Sequence, residues 1–195
     1  IVDGRPVVSC AQGAERFEGK HIETLEGLPE DSRDLWADAF STTGASQCGY
    51  CTPGIVMKAE ALLRREAEPE QDTITKALAG NLCRCTGYLS IVDAIGQVAA
   101  ARNGGPRPQP HPGAAVGDPA PKYRSREQVR GMQEDGADHV VPGMLHGALR
   151  FSHHPRAVVR SIDTSAAEAA AGVVAVITAA DVPGKRNQGL IKDDW

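Results

Sequence analysis

At 195 residues the chain is long enough for one large domain or two small ones, and 21 Lys and Arg against 25 Asp and Glu give it a formal charge of −4. That balance lacks the basic excess of a nucleic-acid binder, and no apolar run reaches the roughly 20 residues that span a bilayer. The 41% hydrophobic, 24% charged composition is that of a soluble globular protein, and with aromatics at 4% any core must rest on Ala, Val, Leu and Ile.

The run Ile1-Val2-Asp3-Gly4-Arg5-Pro6-Val7-Val8 reads as a hairpin with Asp3-Gly4 as its turn, although two strands alone are marginal. Helical periodicity follows. Leu35, Trp36, Ala39 and Phe40 share one face of a helix starting near Ser32, and Ile55, Val56, Ala59, Leu62 and Leu63 define a second. The second helix has Thr52 as its expected N-cap and Pro53 at its first position. A third, shorter helix follows Asp72, with Ile74, Ala77 and Leu78 together and Gly80 as its stop. Tyr88, Ile91, Val92, Ile95, Val98 and Ala99 form the fourth stripe, closed by Asn103 and Gly104. Short loops between four short amphipathic helices predict an antiparallel bundle.

Residues 104–122 hold six of the thirteen prolines and cannot sustain a helix or a ladder. They read as a semi-stiff spacer between separately folding units. Beyond it the pattern turns to α/β, with strands expected over 144–151, 157–162 and 173–177. Ser165 and Glu168 form an expected capping box for an Ala-rich helix ended by Gly172. His146, His153 and His154 read as ordinary strand or loop residues, since adjacent strand positions face opposite ways.

Five cysteines stand at 10, 48, 51, 83 and 85. The odd count fits a secreted disulfide framework poorly, and two tight pairs fit buried apolar thiols poorly. Cys48 and Cys51 form C-x2-C; after 31 residues, Cys83 and Cys85 form C-x-C. Four soft thiolates imply zinc or an iron–sulfur cluster. Each pair immediately precedes an expected helix, whose free N–H groups and dipole favour negative charge. A C-x-C pair between helices is not the usual zinc knuckle. A zinc-stapled structural or interaction module nonetheless stays open as the alternative, and Arg84 reads equally as a charge partner or a solvated side chain.

The run QCGYCTPGIVMKAEALL (47–63) followed by NLCRCTGY (81–88) resembles the second [2Fe–2S] domain of the molybdenum hydroxylases, the xanthine dehydrogenase and aldehyde oxidoreductase family. The resemblance implies that Cys48, Cys51, Cys83 and Cys85 ligate a [2Fe–2S] cluster. It also implies that Gln47 and Cys85 lie against the pterin of a molybdopterin cofactor. Val2-Asp3-Gly4 through Ser9-Cys10 resembles the end of the family's plant-type ferredoxin domain, making Cys10 one ligand of a second [2Fe–2S] cluster whose other ligands are not in this sequence. PGMLHGA (142–148), SIDTSAA (161–167) and GVVAVITAADVPG (172–184) resemble the opening of the family's α/β hammerhead module; SHHPRA (152–157) departs from its usual run.

The expected fold class is therefore an α+β multidomain fragment: a four-helix [2Fe–2S]-binding bundle followed by the start of an α/β hammerhead domain. The divisions are a ferredoxin remnant over 1–25, the bundle over 26–103, the linker over 104–122 and the hammerhead start over 123–195. The implied whole is a molybdopterin-dependent oxidoreductase that inserts water-derived oxygen into an aldehyde or N-heterocycle, and this stretch is its electron relay, with no catalytic base assigned. A 19-residue linker leaves no room for the flavin domain found between these parts in eukaryotic xanthine dehydrogenases. The electron acceptor is then external or a separate flavin subunit, the substrate a small molecule, the setting cytoplasmic, and a homo-oligomer is allowed; nucleic acid and membrane are not expected partners.

Overall fold

The computed structural model describes residues 1–112 and 115–185, and the chain divides into two compact units, Ile1–Pro142 and a second from Gly143 onward. Six α-helices occur among the described residues: α1 Glu30–Thr43, α2 Thr52–Leu63, α3 Gln71–Leu78, α4 Leu89–Arg102, α5 Ser125–Val129 and α6 Ser165–Glu168. Among the described residues no helix is long and apolar enough to cross a membrane.

The first residues make the expected turn but no extended ladder. Asp3 and Gly4 both take positive φ, 46° and 77°, and Val2 and Arg5 exchange backbone hydrogen bonds of 2.8 and 2.9 Å. Pro6, lacking an N–H, ends the pairing at once. Val2 also bridges Ile22, and the Glu23 N–H donates to the Ile1 carbonyl at 2.8 Å. The segment around 22 thus supplies the partner that an isolated hairpin lacks.

Helix α1 begins with Glu30 and Asp31, acidic residues that favour the positive end of the helix dipole. It ends at Gly44, whose φ of 68° is one that glycine adopts without penalty, and whose N–H donates to the Phe40 carbonyl. The apolar stripes of α1 to α4 bury Trp36, Phe40, Ile55, Val56, Ile91, Ile95 and Val98 almost completely in one core, with Val129 of α5 added. Each such side chain contributes about 1.5–3 kcal/mol by leaving water. Trp36 meets Phe40 edge-on at 6.1 Å, and the Arg102 guanidinium lies 5.8 Å from the Trp36 ring centroid. Helix α1 packs on α4 and α5, and α3 on α2 and α4.

One buried charge ties three helices together. Glu60 on α2 is 4% exposed. It accepts from Trp36 Nε1 at 2.8 Å, from Arg102 Nη2 at 2.6 Å and from Arg64 Nε at 3.0 Å. Arg64 continues outward in a two-pronged pair with Glu23 at 2.6 and 2.9 Å.

The Pro-rich stretch is held at its start. Arg107 pairs with Asp38 at 2.9 Å and Asp31 at 2.6 Å, and Pro108 is buried. Helix α5 then lies against α1: the Ser125 and Ser41 hydroxyls are 2.7 Å apart, and Arg126 pairs with Asp34 and Asp38. Residues 123–142 accordingly belong to the packing of the helical unit.

The second unit departs from the sequence expectation. None of the stretches 144–151, 157–162 and 173–177 pairs as a strand among the described residues. Their large apolar residues, among them Leu149, Phe151, Val158, Ile162 and Ile177, are exposed. Strand propensity expresses packing on a pleated, half-covered surface, and no described segment of this unit lies alongside to complete a ladder. The helix start also shifts. Thr164 rather than Ser165 takes the cap position of α6, because the Asp163 carboxylate accepts both the N–H and the hydroxyl of Ser165, at 3.0 and 2.6 Å. His153 meets Arg150 at 2.6 Å on the surface.

Candidate metal centre

Two loops bring four of the five cysteines together. The first, Gln47 to Cys51, runs directly into α2. Cys51 itself occupies the cap position, and the expected cap residue Thr52 is the first helical residue. Thr52 has moved inward because its hydroxyl meets buried Ser46 at 3.1 Å. The Thr52 N–H closes the loop onto the Gly49 carbonyl at 3.1 Å, a turn that holds Gly49 at φ 86°.

The second loop spans Asn81 to Tyr88 and stands between α3 and α4. Tyr88 precedes α4 in a left-handed conformation, φ 69°, unusual for a non-glycine residue. Its phenol justifies the geometry: it accepts the Cys83 N–H at 2.7 Å and donates to the Asn81 carbonyl at 2.8 Å. The Thr86 hydroxyl lies 3.1 Å from Cys83 Sγ and accepts the Tyr88 N–H at 3.3 Å. Removing the phenol oxygen leaves a half-buried N–H and a carbonyl without partners. Tyr88→Phe is expected to cost about 1–2 kcal/mol, read as a lower midpoint in urea unfolding with an unchanged slope.

The four thiols influence one another across the two loops: Cys48 and Cys85 act on each other's ionisation, and Cys83 acts on Cys51. The Cys51–Cys83 pair is half-buried against the apolar core, whereas Cys48 and Cys85 are exposed. Their acidities diverge accordingly. Burial, reinforced by Cys83, pushes the Cys51 thiol up to about 12. Cys83 also pays for burial, but the Thr86 hydroxyl and the N–H groups of Thr86 and Cys85 bring it down to about 7. The Tyr50 N–H, then the Cys85 thiol, lowers Cys48, while donation to Cys48 raises Cys85. Cys48 and Cys83 thus carry preformed stabilisation for negative sulfur.

The donor chemistry fits a binuclear iron–sulfur centre. Such a cluster takes four thiolates as two per iron, and the loops offer two cross-loop pairs. Among the described residues no three Cys, His, Asp or Glu donors converge on a point that would hold a single ion.

The other expected site residues are placed as follows. Gln47 is exposed at the start of the first loop, beside Cys48. Arg84 is exposed and makes no ion pair among the described residues. Cys10 sits exposed in the turn Ser9–Ala11. Sequence reasoning did not single out Thr86 and Tyr88 as supports of the second loop, although both lie in the motif that follows Cys85. It also missed Ser46, Lys122 and Gln128. Ser46 carried no signal beyond its nearness to Cys48, and the other two carried none, because their contacts to the first loop cross about 75–80 residues.

The two cysteine loops and the helices around them form a [2Fe–2S]-binding domain: the family model described as "[2Fe-2S] binding domain" matches residues 24–96. A second model, "Aldehyde oxidase and xanthine dehydrogenase, a/b hammerhead domain", matches residues 134–194. The chain belongs to the aldehyde oxidoreductase and xanthine dehydrogenase family. It is 36% identical over 207 residues to the aldehyde oxidoreductase of Megalodesulfovibrio gigas, covering 98% of this chain and 23% of that protein. It is 46% identical over 96 residues to the nicotinate dehydrogenase small FeS subunit of Eubacterium barkeri, covering 49% of this chain and 61% of that one. The solved aldehyde oxidoreductase from Desulfovibrio desulfuricans superposes with a TM-score of 0.77 at 34% identity, over 96% of this chain and 22% of its own. The chain thus spans less than a quarter of the length of these aldehyde oxidoreductases.

Proposed function

We propose that Cys48, Cys51, Cys83 and Cys85 hold a [2Fe–2S] cluster that relays electrons in a molybdopterin-dependent hydroxylase. The observation that carries this is the placement of four thiols on two loops, one running into α2 and one into α4, with Cys51 and Cys83 packed against the same core and the thiols influencing one another across the loops. When bound, the cluster supplies one-electron redox chemistry, and the chain sets its environment. The Tyr50 N–H and the Thr86 hydroxyl donate toward Cys48 and Cys83 sulfur. Tyr88 anchors the backbone of the second loop, and the apolar core half-buries Cys51.

The exposed side supports a finer reading. Gln47, Cys48 and Cys85 are exposed, and Tyr50, Leu82 and Leu89 stand in solvent on the same two loops and the first turn of α4. This face suits contact with the pterin, through Gln47 and Cys85. Residues 1–25 with Cys10 then correspond to the end of a ferredoxin-type domain that carries a second cluster, and the unit from Gly143 onward to the start of a hammerhead domain.

The near-continuous alignment with an aldehyde oxidoreductase supports an arrangement without an inserted flavin domain. Electrons would leave to a separate flavin subunit or another external carrier, and the substrate would be a small aldehyde or N-heterocycle.

Anaerobic reconstitution with iron and sulfide tests the cluster. The expected product is red-brown, contains iron and acid-labile sulfide in equal amounts, and gives a rhombic EPR signal on reduction. A colourless protein with one tightly held zinc per chain would overturn the reading.

A further inference from the structure

Beyond the Pro-rich stretch the chain returns to the first cysteine loop. Lys122 Nζ donates to the Gln47 carbonyl and, at 2.7 Å, to Gln128 Oε1. Gln128 Nε2 donates to the Cys48 carbonyl at 2.9 Å, and its Oε1 accepts the Ser46 hydroxyl at 2.9 Å. The Gln128 side chain is only 7% exposed, and it lies in the space where a Gly49 side chain would stand. A Cβ added to Gly49 would come within 2.3 Å of Gln128 Nε2 and 2.6 Å of its Cγ. The glycine between the two cysteines is therefore needed twice, for its positive φ and for the close approach of Gln128.

We propose that Gln128 and Lys122 are positioning residues for the metal centre: by holding the Gln47 and Cys48 carbonyls they fix the peptide planes of the loop that carries Cys48 and Cys51. In a trans peptide the carbonyl and the next N–H point in opposite directions. Anchoring both carbonyls on one side therefore turns the N–H groups of Cys48 and Gly49 to the other. Hydrogen bonds from such N–H groups to cluster sulfur are a main determinant of reduction potential. The Lys122 ammonium adds a positive charge beside the loop, which favours the reduced, more negative state. Outer-shell groups of this kind orient ligands that they do not replace.

This inference rests on the cluster reading above, and the experiment separates the two. The full chain is reconstituted with iron and sulfide as wild type, Gln128→Ala, Lys122→Met, Lys122→Arg, Gly49→Ala and the Gly49→Ala/Gln128→Ala double variant. Helical content is followed by circular dichroism, iron release to a chelator by absorbance, and the cluster by EPR and redox titration. Gln128→Ala is expected to release iron about tenfold faster, the lower end of outer-shell effects on metal sites, with altered g-values. Lys122→Met is expected to shift the reduction equilibrium toward the oxidised form by about twofold to fivefold, the range of an exposed charge's influence; Lys122→Arg restores it. Gly49→Ala should be less damaging in the Gln128→Ala background, because the overlap is removed and only the φ strain remains.

A wild-type chain that takes up no cluster removes the reading beneath the inference and the inference with it. A wild-type cluster with release rates, g-values and potential unchanged in Gln128→Ala and Lys122→Met overturns the positioning role alone. Should Gln128→Ala fail to fold, the exposed Lys122 variants decide: an unchanged potential in Lys122→Met is then the overturning result.

Discussion

Replacing Cys48 or Cys83 by serine is expected to abolish the visible sulfur-to-iron absorption of the reconstituted chain, whereas Cys10→Ser leaves it intact. Each of the first two changes removes one member of a cross-loop thiol pair and substitutes a hard hydroxyl that is hardly ionised at neutral pH. Cys83 is the more sensitive position. Its sulfur already accepts from Thr86 and two backbone N–H groups, so the field that would stabilise a thiolate meets a neutral alcohol instead. Cys10 lies in a separate exposed turn and lends nothing to the four. Absorbance and iron content of the three variants, purified and reconstituted side by side, provide the measurement. Loss of the cluster in Cys10→Ser would refute the ligand assignment.

Glu60→Ala is expected to destabilise the helical unit by about 3 kcal/mol, near the low end for breaking a buried ion pair and a large fraction of the ~5–15 kcal/mol that holds a domain folded. The low end applies because Arg102 and Arg64 keep 28% and 39% side-chain exposure and recover hydration. Trp36 cannot: it is fully buried, and its Nε1 donates to Glu60 alone. Glu60→Gln keeps an acceptor for the indole and should cost less. Urea unfolding of the three proteins measures the difference.

The same pair shapes the acid limb of stability. Burial pushes the Glu60 carboxyl up, but Arg102, the Trp36 N–H and Arg64 outweigh it and hold the group below its ordinary value of 4.5. A depressed folded pKa contributes stability that is complete above the unfolded value and is lost as pH falls through the folded one. Wild type should therefore lose stability below about pH 4.5 more steeply than Glu60→Gln; parallel acid limbs would show that the arginines do not act on Glu60.

The features readable in the sequence are those that local chemistry encodes. The helix stripes, Pro53 in the first turn of α2 and Asn103 at the end of α4 each need only a few neighbouring residues, and the cysteine spacing states its own donor count. What was not legible depends on distant parts of the chain. Glu60 sits where an i,i+4 pair with Arg64 looks like an ordinary solvated face, and only Arg102 and Trp36 arriving from other helices bury it. Cys51 displaces Thr52 from the cap because Ser46 draws that hydroxyl inward. The stretches past Gly143 carry strand composition, but composition cannot supply a neighbouring strand. The Pro-rich stretch reads as a semi-stiff spacer between separately folding units, yet Arg107 finds two carboxylates on α1 and Lys122 finds the cysteine loop.

That last arrangement has an entropic side. Arg107 is fastened to α1 and Lys122 to the loop at Gln47, so the run between them is held at both ends. Docking of α5 onto the metal-site loop is therefore a unimolecular event, independent of protein concentration, with an effective local concentration in the millimolar range expected of short connections. The prolines restrict the undocked chain as well as the docked one, so less freedom is surrendered when the two ends dock. A feature that looks like mere separation thus keeps Gln128 near Gly49, and links the order of the cysteine loop to a chain segment far downstream of its last cysteine.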